Sequence, residues 1–422
     1  MPCGTGGGVL RPYQTLALAC VAEAEGKGCR VVALVGPTGM GKTKTAVEWG
    51  ASQRGNGVWI AHRGELLSAA EKEWRVPRVH YDSGCQFFSI QSLTAIPISD
   101  WYVLDECHHY YGAPEWTARC QPARRGPTLA LTATPERADG TGLGNLADAI
   151  VVAAQPRELI RDGWLVPSDV IAARAPTRTL TEHPVVAWQK HAEGRKAIVF
   201  CRDVKHARDT ALEFVAAGIA AGCVDGGTLD RGSVLALHAA GELTVLTTVQ
   251  VLTEGYDDPT VGVAIMARGF SSAGAWIQAC GRVVRPYPGK SRATIIDLRG
   301  SVYLWGLPDE DRSYSLEGRA MRIGTGDEGE AIRQCRVCQR VFRTVEYKDA
   351  TCPACGAMTK GKPDPKVRRE AISRVLSTFT VDAKRKKFAE LRAMGKAKGY
   401  KHNWAVMRFK MMFGHWPGKD MR

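Results

Sequence analysis

No apolar run in the 422-residue sequence approaches the roughly 20 residues that a membrane span needs. The opening residues, MPCGTGGGVLRPYQ, lack the charged-then-apolar order of a secretory leader. These absences point away from membrane and export, and the expected location is the cytoplasm, a bacterial host's cytoplasm if the chain is phage-encoded. An acidic excess is also missing: 57 Lys/Arg face 43 Asp/Glu, for a formal net charge of +14. Residues 360–422 alone carry 18 Lys/Arg against 5 Asp/Glu, so the body is near neutral and the tail holds nearly all of the imbalance. A basic tail on a neutral body fits a polyanionic partner as readily as a solvated, solubilising end. The cysteines do not form a disulfide framework. Nine of the 13 are scattered singly, for example Cys20, Cys201 and Cys280, and read as reduced core residues.

What is present begins with Val31–Thr43, VVALVGPTGMGKT. Val31–Val35 is a short β-branched apolar run, the pattern of a buried strand. Gly36, Gly41, Lys42 and Thr43 then fit GxxxxGK[ST], a phosphate-binding loop that opens a helix from about Lys42 through Trp49. Glycines let backbone N–H groups converge on anionic oxygens, and the helix adds the positive end of its dipole. Lys42 is placed to reach the β- and γ-phosphates of ATP, and the Thr43 hydroxyl to hold Mg²⁺. Pro37, Thr38 and Gly39 complete the cradle. Upstream, Arg11 and Gln14 open a helix, and the Gln14 amide can both donate to and accept from an adenine edge.

The motifs that follow come in order along the chain. Gly57–Ala61 reads as a strand, and Arg63 stands where it gives way to a helix, a place from which an arginine meets a nucleic-acid phosphate. Gln91 and Ser92 hold a similar position in FFSIQSLT. Trp101–His109, WYVLDECHH, is a strand ending in adjacent carboxylates 62 residues after Thr43. Asp105 is suited to Mg²⁺ and Glu106 to orienting and deprotonating the attacking water. His108 and His109 are open to two readings, metal ligands or contacts to a neighbouring domain. Thr132 ends the strand TLALT and offers a small hydroxyl near the same face. Gln155–Pro167 reads as a connector, punctuated by Pro156, Gly163 and Pro167.

Beyond it the α/β pattern restarts. Lys196–Phe200, Ile219–Val224, Thr244–Thr247, Val261–Met266 and Ala293–Asp297 read as buried strands of a second parallel sheet without a phosphate loop of its own. Gly255-Tyr256-Asp257 and then Gln278-x₃-Arg282-x₂-Arg285 follow. A spacing of three puts both arginines on one helix face, where they can clamp a γ-phosphate from across a cleft.

With RPYQ, GPTGMGKT, AHRGELL, SIQSL, DECHH, LTATP, AIVFC, VLTEGYDDP and QACGRVVRP in this order, residues 9–300 resemble superfamily 2 helicases. The likeness is to the DEAD/DEAH-like DNA branch of the type III restriction motor and the XPB-type repair helicases. The resemblance implies an α/β fold of two tandem RecA-like lobes, with ATP–Mg²⁺ between them and nucleic acid across their top. It implies γ-phosphate and coupling roles for Gly255 and Asp257, water or γ-phosphate positioning for Gln278, and finger roles for Arg282 and Arg285. It places the nucleic-acid contacts at Arg63, Gln91, Ser92, Thr132, Arg202 and Thr248. Family members often carry an acid where Gln250 stands, a departure that bears on coupling. The lobes are short, which argues against a large built-in strand-separating domain.

Four cysteines remain. Cys335-x₂-Cys338 and Cys352-x₂-Cys355, thirteen residues apart, read as paired knuckles for a structural Zn²⁺, with a redox dithiol as the rival. The expected domains are lobe 1 at 1–155, lobe 2 at 156–305, a linker at 306–332, a zinc ribbon at 333–358 and a basic helical tail at 359–422. In that tail lysines alternate with Phe388, Tyr400, Trp404, Phe409 and Trp416, so aromatics are expected mostly in a small core and lysines facing phosphates. Similar basic endings occur in bacteriophage-type members of the family. The function read here is an ATP-dependent DNA helicase or translocase acting on single-stranded or branched DNA, with replication or recombination proteins as further partners. An RNA helicase and a non-motor adaptor working through the ribbon and tail are the alternatives.

Overall fold

The computed structural model describes residues 10–76, 84–110, 114–135, 142–249, 256–317, 332–343, 346, 351–358 and a few positions between 388 and 406. Six strands form the first sheet: β1 (Val31–Val35), β2 (Gly57–Ala61), β3 (Cys85–Ser89), β4 (Trp101–Leu104), β5 (Thr128–Thr132) and β6 (Ala149–Val152). They are all parallel, in the order β3-β2-β4-β5-β1-β6. Helices cover both faces, so the strands are apolar throughout rather than alternating. In β1, Val32 and Leu34 pack into one cluster and Val31 and Ala33 into the other, the period-2 consequence of the pleat. Trp101 fills the space beside Gly57, where a Cβ would come within 2.1 Å of its ring.

The second sheet comprises β7 (Ser168–Ala172), β8 (Ala197–Phe200), β9 (Ala221–Val224), β10 (Val245–Thr248), β11 (Val263–Met266), β12 (Ala293–Asp297), β13 (Ile332–Gln334) and β14 (Arg340–Arg343). Its order is β13-β14-β7-β12-β11-β8-β10-β9, and the β7-to-β12 and later pairings are parallel. Ile198 and Phe200 of β8 face one core and Ala197 and Val199 the other. The two RecA-like lobes read from the sequence are therefore present.

Several expectations are corrected. The connector is folded: Pro156–Arg161 is helical, capped by Gln155 and started by a proline, whose missing N–H costs nothing there. Leu159 and Leu165 pack in the first lobe's core while Val166 packs in the second's, so the chain changes lobes after Leu165 rather than at Gln155. The cysteine ribbon is not a separate body. β14 pairs antiparallel with β7, placing Arg340 opposite Ile171 and Val341 opposite Val170, and so extends the second sheet. Cys20 is exposed, because it faces outward on the helix Pro12–Gly26, whose buried residues are Tyr13, Gln14, Ala17 and Val21.

Candidate active site

The loop after β1 bends through two left-handed glycines, Gly39 at φ 91° and Gly41 at φ 89°, and Gly41 caps the helix Lys42–Ser52. A side chain at either position strains the backbone, which is why the loop needs glycine there. Thr43, half-buried, lies on the first turn. The Lys42 ammonium donates to the Gly36 carbonyl at 3.1 Å. Burial pulls its pKa down, Glu106 and Asp105 pull it up, and Arg282 and Arg285 press it down again. Four charged groups, two from each lobe, thus act on Lys42.

The loop is braced from behind. The Tyr13 hydroxyl donates to the Met40 carbonyl at 2.6 Å, and Gln14 Nε2 to the Met40 and Gly41 carbonyls at 3.1 and 3.3 Å. The other end of the Gln14 amide accepts from the Arg11 backbone N–H at 2.9 Å. Gln14, 1% exposed, therefore grips the phosphate loop itself in this structure. The Arg11 guanidinium lies over Trp164, 4.3 Å from the ring centroid.

Asp105 and Glu106 emerge from the carboxyl end of β4, separated from β1 by β5. Both are nearly buried. The Asp105 N–H donates to the Ile60 carbonyl at 2.8 Å, and the Tyr110 hydroxyl donates to the Asp105 carbonyl at 2.7 Å. Glu106 sits at φ 51°, a left-handed conformation that costs a non-glycine residue on the order of 1–3 kcal/mol and that clusters at functional sites. No sequence signal marked it. His108 bridges outward: Nδ1 lies 3.0 Å from Thr132 Oγ1 and 3.4 Å from Glu106 Oε2, and Nε2 lies 3.5 Å from Gln278 Nε2 in the other lobe. The rings of His62, His109 and His108 succeed one another at 4.1 Å centroid spacings. His108 thus has a contact to the other lobe, in keeping with the interdomain reading of that residue.

From the second lobe, the helix Ala273–Cys280 presents Gln278, and Gly281 ends it. Arg282 and Arg285 lie just past the helix rather than on it, which corrects the shared-face argument, yet both are near enough to Lys42 for their charges to lower its pKa. Arg282, 6% exposed, donates from Nη1 to the Tyr256 carbonyl at 2.8 Å. Arg285 pairs with the Asp257 carboxylate. A Cβ at Gly39 would meet Arg285 Cγ at 3.1 Å, and one at Gly281 would meet Thr38 Cβ at 2.5 Å. The lobes close directly on each other around the loop. Gly255 and Gln250 lie outside the described residues.

Residues 177–287 match the family model of the helicase conserved C-terminal domain, the region that holds both arginines. This match and the relatives that follow support a helicase of superfamily 2 type. It is 27% identical over 361 residues to a 51.5 kDa protein of a Lactococcus phage, covering 76% of each chain. It is 29% identical over 350 residues to a Schizosaccharomyces pombe protein named as a mitochondrial ATP-dependent helicase, irc3, covering 69% of this chain and 58% of that one. In fold it is similar to an ATP-dependent type ISP restriction-modification enzyme, LlaBIII, solved bound to DNA, with a TM-score of 0.53 and 18% identity over 68% of this chain. The helicase spans 28% of that enzyme's length and just over half of the fission-yeast relative.

The residues proposed for nucleic acid divide. Gln91, Ser92 and Arg202 are exposed, and Arg63 is partly so, its Nε donating to His62 Nε2 at 3.2 Å. Arg202 pairs with Asp203 at 2.8 Å. Thr132 and Thr248, each the last residue of its strand, are fully buried. The Thr132 hydroxyl donates to the Thr134 carbonyl at 2.8 Å. Two further arginines were not singled out in the sequence. Arg268 and Arg299 stand two residues past the ends of β11 and β12, as Arg202 does past the neighbouring β8. That repeated offset was the available signal.

In the helicase's cysteine corner, Cys335 and Cys355 sulfurs lie 3.7 Å apart and Cys338 and Cys352 sulfurs 3.8 Å apart, all four within 4.8 Å. A tetrahedral ion bound at ~2.3 Å demands sulfur–sulfur edges of ~3.8 Å. The amides of Cys338 and Val337 point at Cys335, and those of Cys355 and Ala354 at Cys352. This is a knuckle on each side of the site. In the tail, Phe388, Leu391 and Ala405 pack together as expected of its apolar residues, while Lys384–Lys387, Tyr400, Trp404, Phe409 and Trp416 lie outside the described residues. No described helix is long and apolar enough to cross a membrane.

Proposed function

We propose that the helicase is a DNA-directed motor in which ATP is hydrolysed between the lobes. The observation that carries this reading is the convergence of Lys42, Asp105 and Glu106 from one lobe with Arg282 and Arg285 from the other. Lys42 and the loop amides hold the β- and γ-phosphates; Arg11 and Gln14 flank the base. Thr43 and Asp105 hold Mg²⁺, which supplies charge neutralisation at the phosphates when bound. Glu106 takes the proton of the attacking water, Gln278 positions that water, and Arg282 and Arg285 complete the site when the cleft closes. His108 links Glu106 to Gln278 and so reports closure from one lobe to the other. Gly255 and Asp257 belong to the same coupling segment. The four cysteines hold Zn²⁺ as a closed structural site.

The exposed residues Gln91, Ser92 and Arg202, with the half-buried Arg63, Arg268 and Arg299, form the proposed track for a DNA strand at the carboxyl ends of the strands. The similarly folded restriction enzyme, solved bound to DNA, supports DNA over RNA. The test is ATP turnover with single-stranded DNA, forked DNA, a Holliday junction, an R-loop and RNA. DNA should stimulate turnover more than RNA of equal length; equal or greater stimulation by RNA would reverse the substrate assignment.

Closure itself makes a prediction. A methyl at Gly281 cannot fit against Thr38 without parting the lobes. Gly281→Ala should raise KM for ATP and lower kcat together, with the unfolding temperature held. Unchanged kinetic constants would show that the cleft does not close this tightly during turnover.

A further inference from the structure

The segment Tyr256–Asp258 holds both guanidiniums: the Tyr256 carbonyl accepts from Arg282 and the Asp257 carboxylate pairs with Arg285. Its own anchorage comes from distant parts of lobe 2. The Tyr256 hydroxyl donates to Asp258 Oδ2 at 3.1 Å and meets His238 Nδ1 at 2.6 Å. Asp258 Oδ2 also accepts from Lys196 Nζ at 2.8 Å, and Lys196 Nζ donates to Thr260 Oγ1 at 2.9 Å. Asp258 Oδ1 accepts from the Thr260 backbone N–H at 3.0 Å. His238, Tyr256 and Asp258 are all buried, at 0%, 9% and 6% exposure. Lys196 immediately precedes the central strand β8, and its carbonyl accepts from Gly262 and Val263.

We infer that Lys196, Asp258, Tyr256 and His238 are positioning residues that fix the Tyr256 carbonyl, and through it the Arg282 guanidinium, at the edge of the cleft. None of them touches the nucleotide. The inference rests on the finger role proposed for Arg282 but concerns different residues. A buried guanidinium needs a fixed partner, because leaving it unpaired costs several kcal/mol. Here that partner is a backbone carbonyl, which moves only if its segment moves. A closed side-chain network tied to a core strand holds the segment in place. Burial works to raise the Asp258 pKa, but Lys196 and Thr260 outweigh it, so the carboxylate stays ionised and paired. Burial also lowers His238 to about 4, so the imidazole is neutral and adds no charge to the network.

Tyr256→Phe removes one hydroxyl and keeps the ring in its apolar cluster, and Asp258→Asn keeps shape and removes charge. Each should lower kcat about tenfold, since sub-ångström misplacement of a reacting group has effects of this size. KM for ATP should hold in both; the unfolding temperature should hold in Tyr256→Phe and fall in Asp258→Asn, where Lys196 loses its counter-charge. Combined with Arg282→Ala, neither should lower kcat further, and Lys196→Arg should retain most activity. Wild-type kcat in both variants, or losses that multiply with that of Arg282→Ala, would overturn the inference. A second readout needs no turnover: the ¹⁵N NMR signal of the Arg282 Nε–H group, assigned with Arg282→Lys. It should shift and exchange faster in Tyr256→Phe, and an unchanged signal would overturn the inference. If that signal moves while the wild-type chain hydrolyses no ATP with any nucleic acid, the network stands and the motor reading is what fails.

Discussion

Glu106→Gln should leave nucleotide binding intact and lower kcat by about 10²–10⁴, the range that a positioned general base contributes. The substitution keeps side-chain volume and removes only the proton acceptor. The backbone that presents it is held independently, by the Asp105 N–H on the Ile60 carbonyl and the Tyr110 hydroxyl on the Asp105 carbonyl. The left-handed turn at Glu106 aims the side chain off the strand end toward His108 and the cleft. Gln in this turn is no more strained than Glu, so the variant should fold as the wild type does. Phosphate release measures the loss, and titration with a fluorescent ATP analogue separates it from binding. Wild-type turnover would remove Glu106 from the chemistry.

The second large effect concerns the cysteine corner. Cys352→Ser should reduce bound zinc from one equivalent to a small fraction, measured by metal analysis of the purified chain. A structural zinc site contributes about 10–16 kcal/mol of apparent binding free energy in small metal-folded domains, all of it realised on folding. Here the consequence should reach beyond the ribbon. Val341 packs in lobe 2's core, Gln334 Nε2 donates to the Ala172 carbonyl at 2.6 Å, and Arg343 pairs with Asp309 at 2.6 Å. Losing the metal should therefore loosen β13 and β14 and leave β7 as an unpaired edge. Hydrogen exchange at the β7 amides should speed up, and lobe 2 should unfold several degrees lower. A free-standing ribbon would instead lose its zinc and leave β7 protected.

The fold was legible where local pattern suffices. VVALV before GPTGMGKT, or WYVL before DECHH, carries its strand, its turn and its chemistry in one stretch, so spacing and residue type were enough. Arg282 and Arg285 were found for a reason that the structure replaces: the helix stops at Cys280, and the turn after it does the aiming. The burial of Thr132 and Thr248 was not legible, because which face the last residue of a strand presents depends on register, which a sequence does not declare. The Lys196–Asp258 pair spans 62 residues, and the β14–β7 pairing joins positions about as far apart as the chain's lobes are long, so neither leaves a local trace. The left-handed Glu106 was invisible for the opposite reason, since glutamate there looks like any other strand-end acid.

The unbroken second sheet has a mechanical consequence. Strands from β9 at one edge to β13 at the other are hydrogen-bonded neighbours, so they pivot as one plank. Any swing of the arginine-bearing lobe is then carried across the sheet's width to the cysteine corner at its edge.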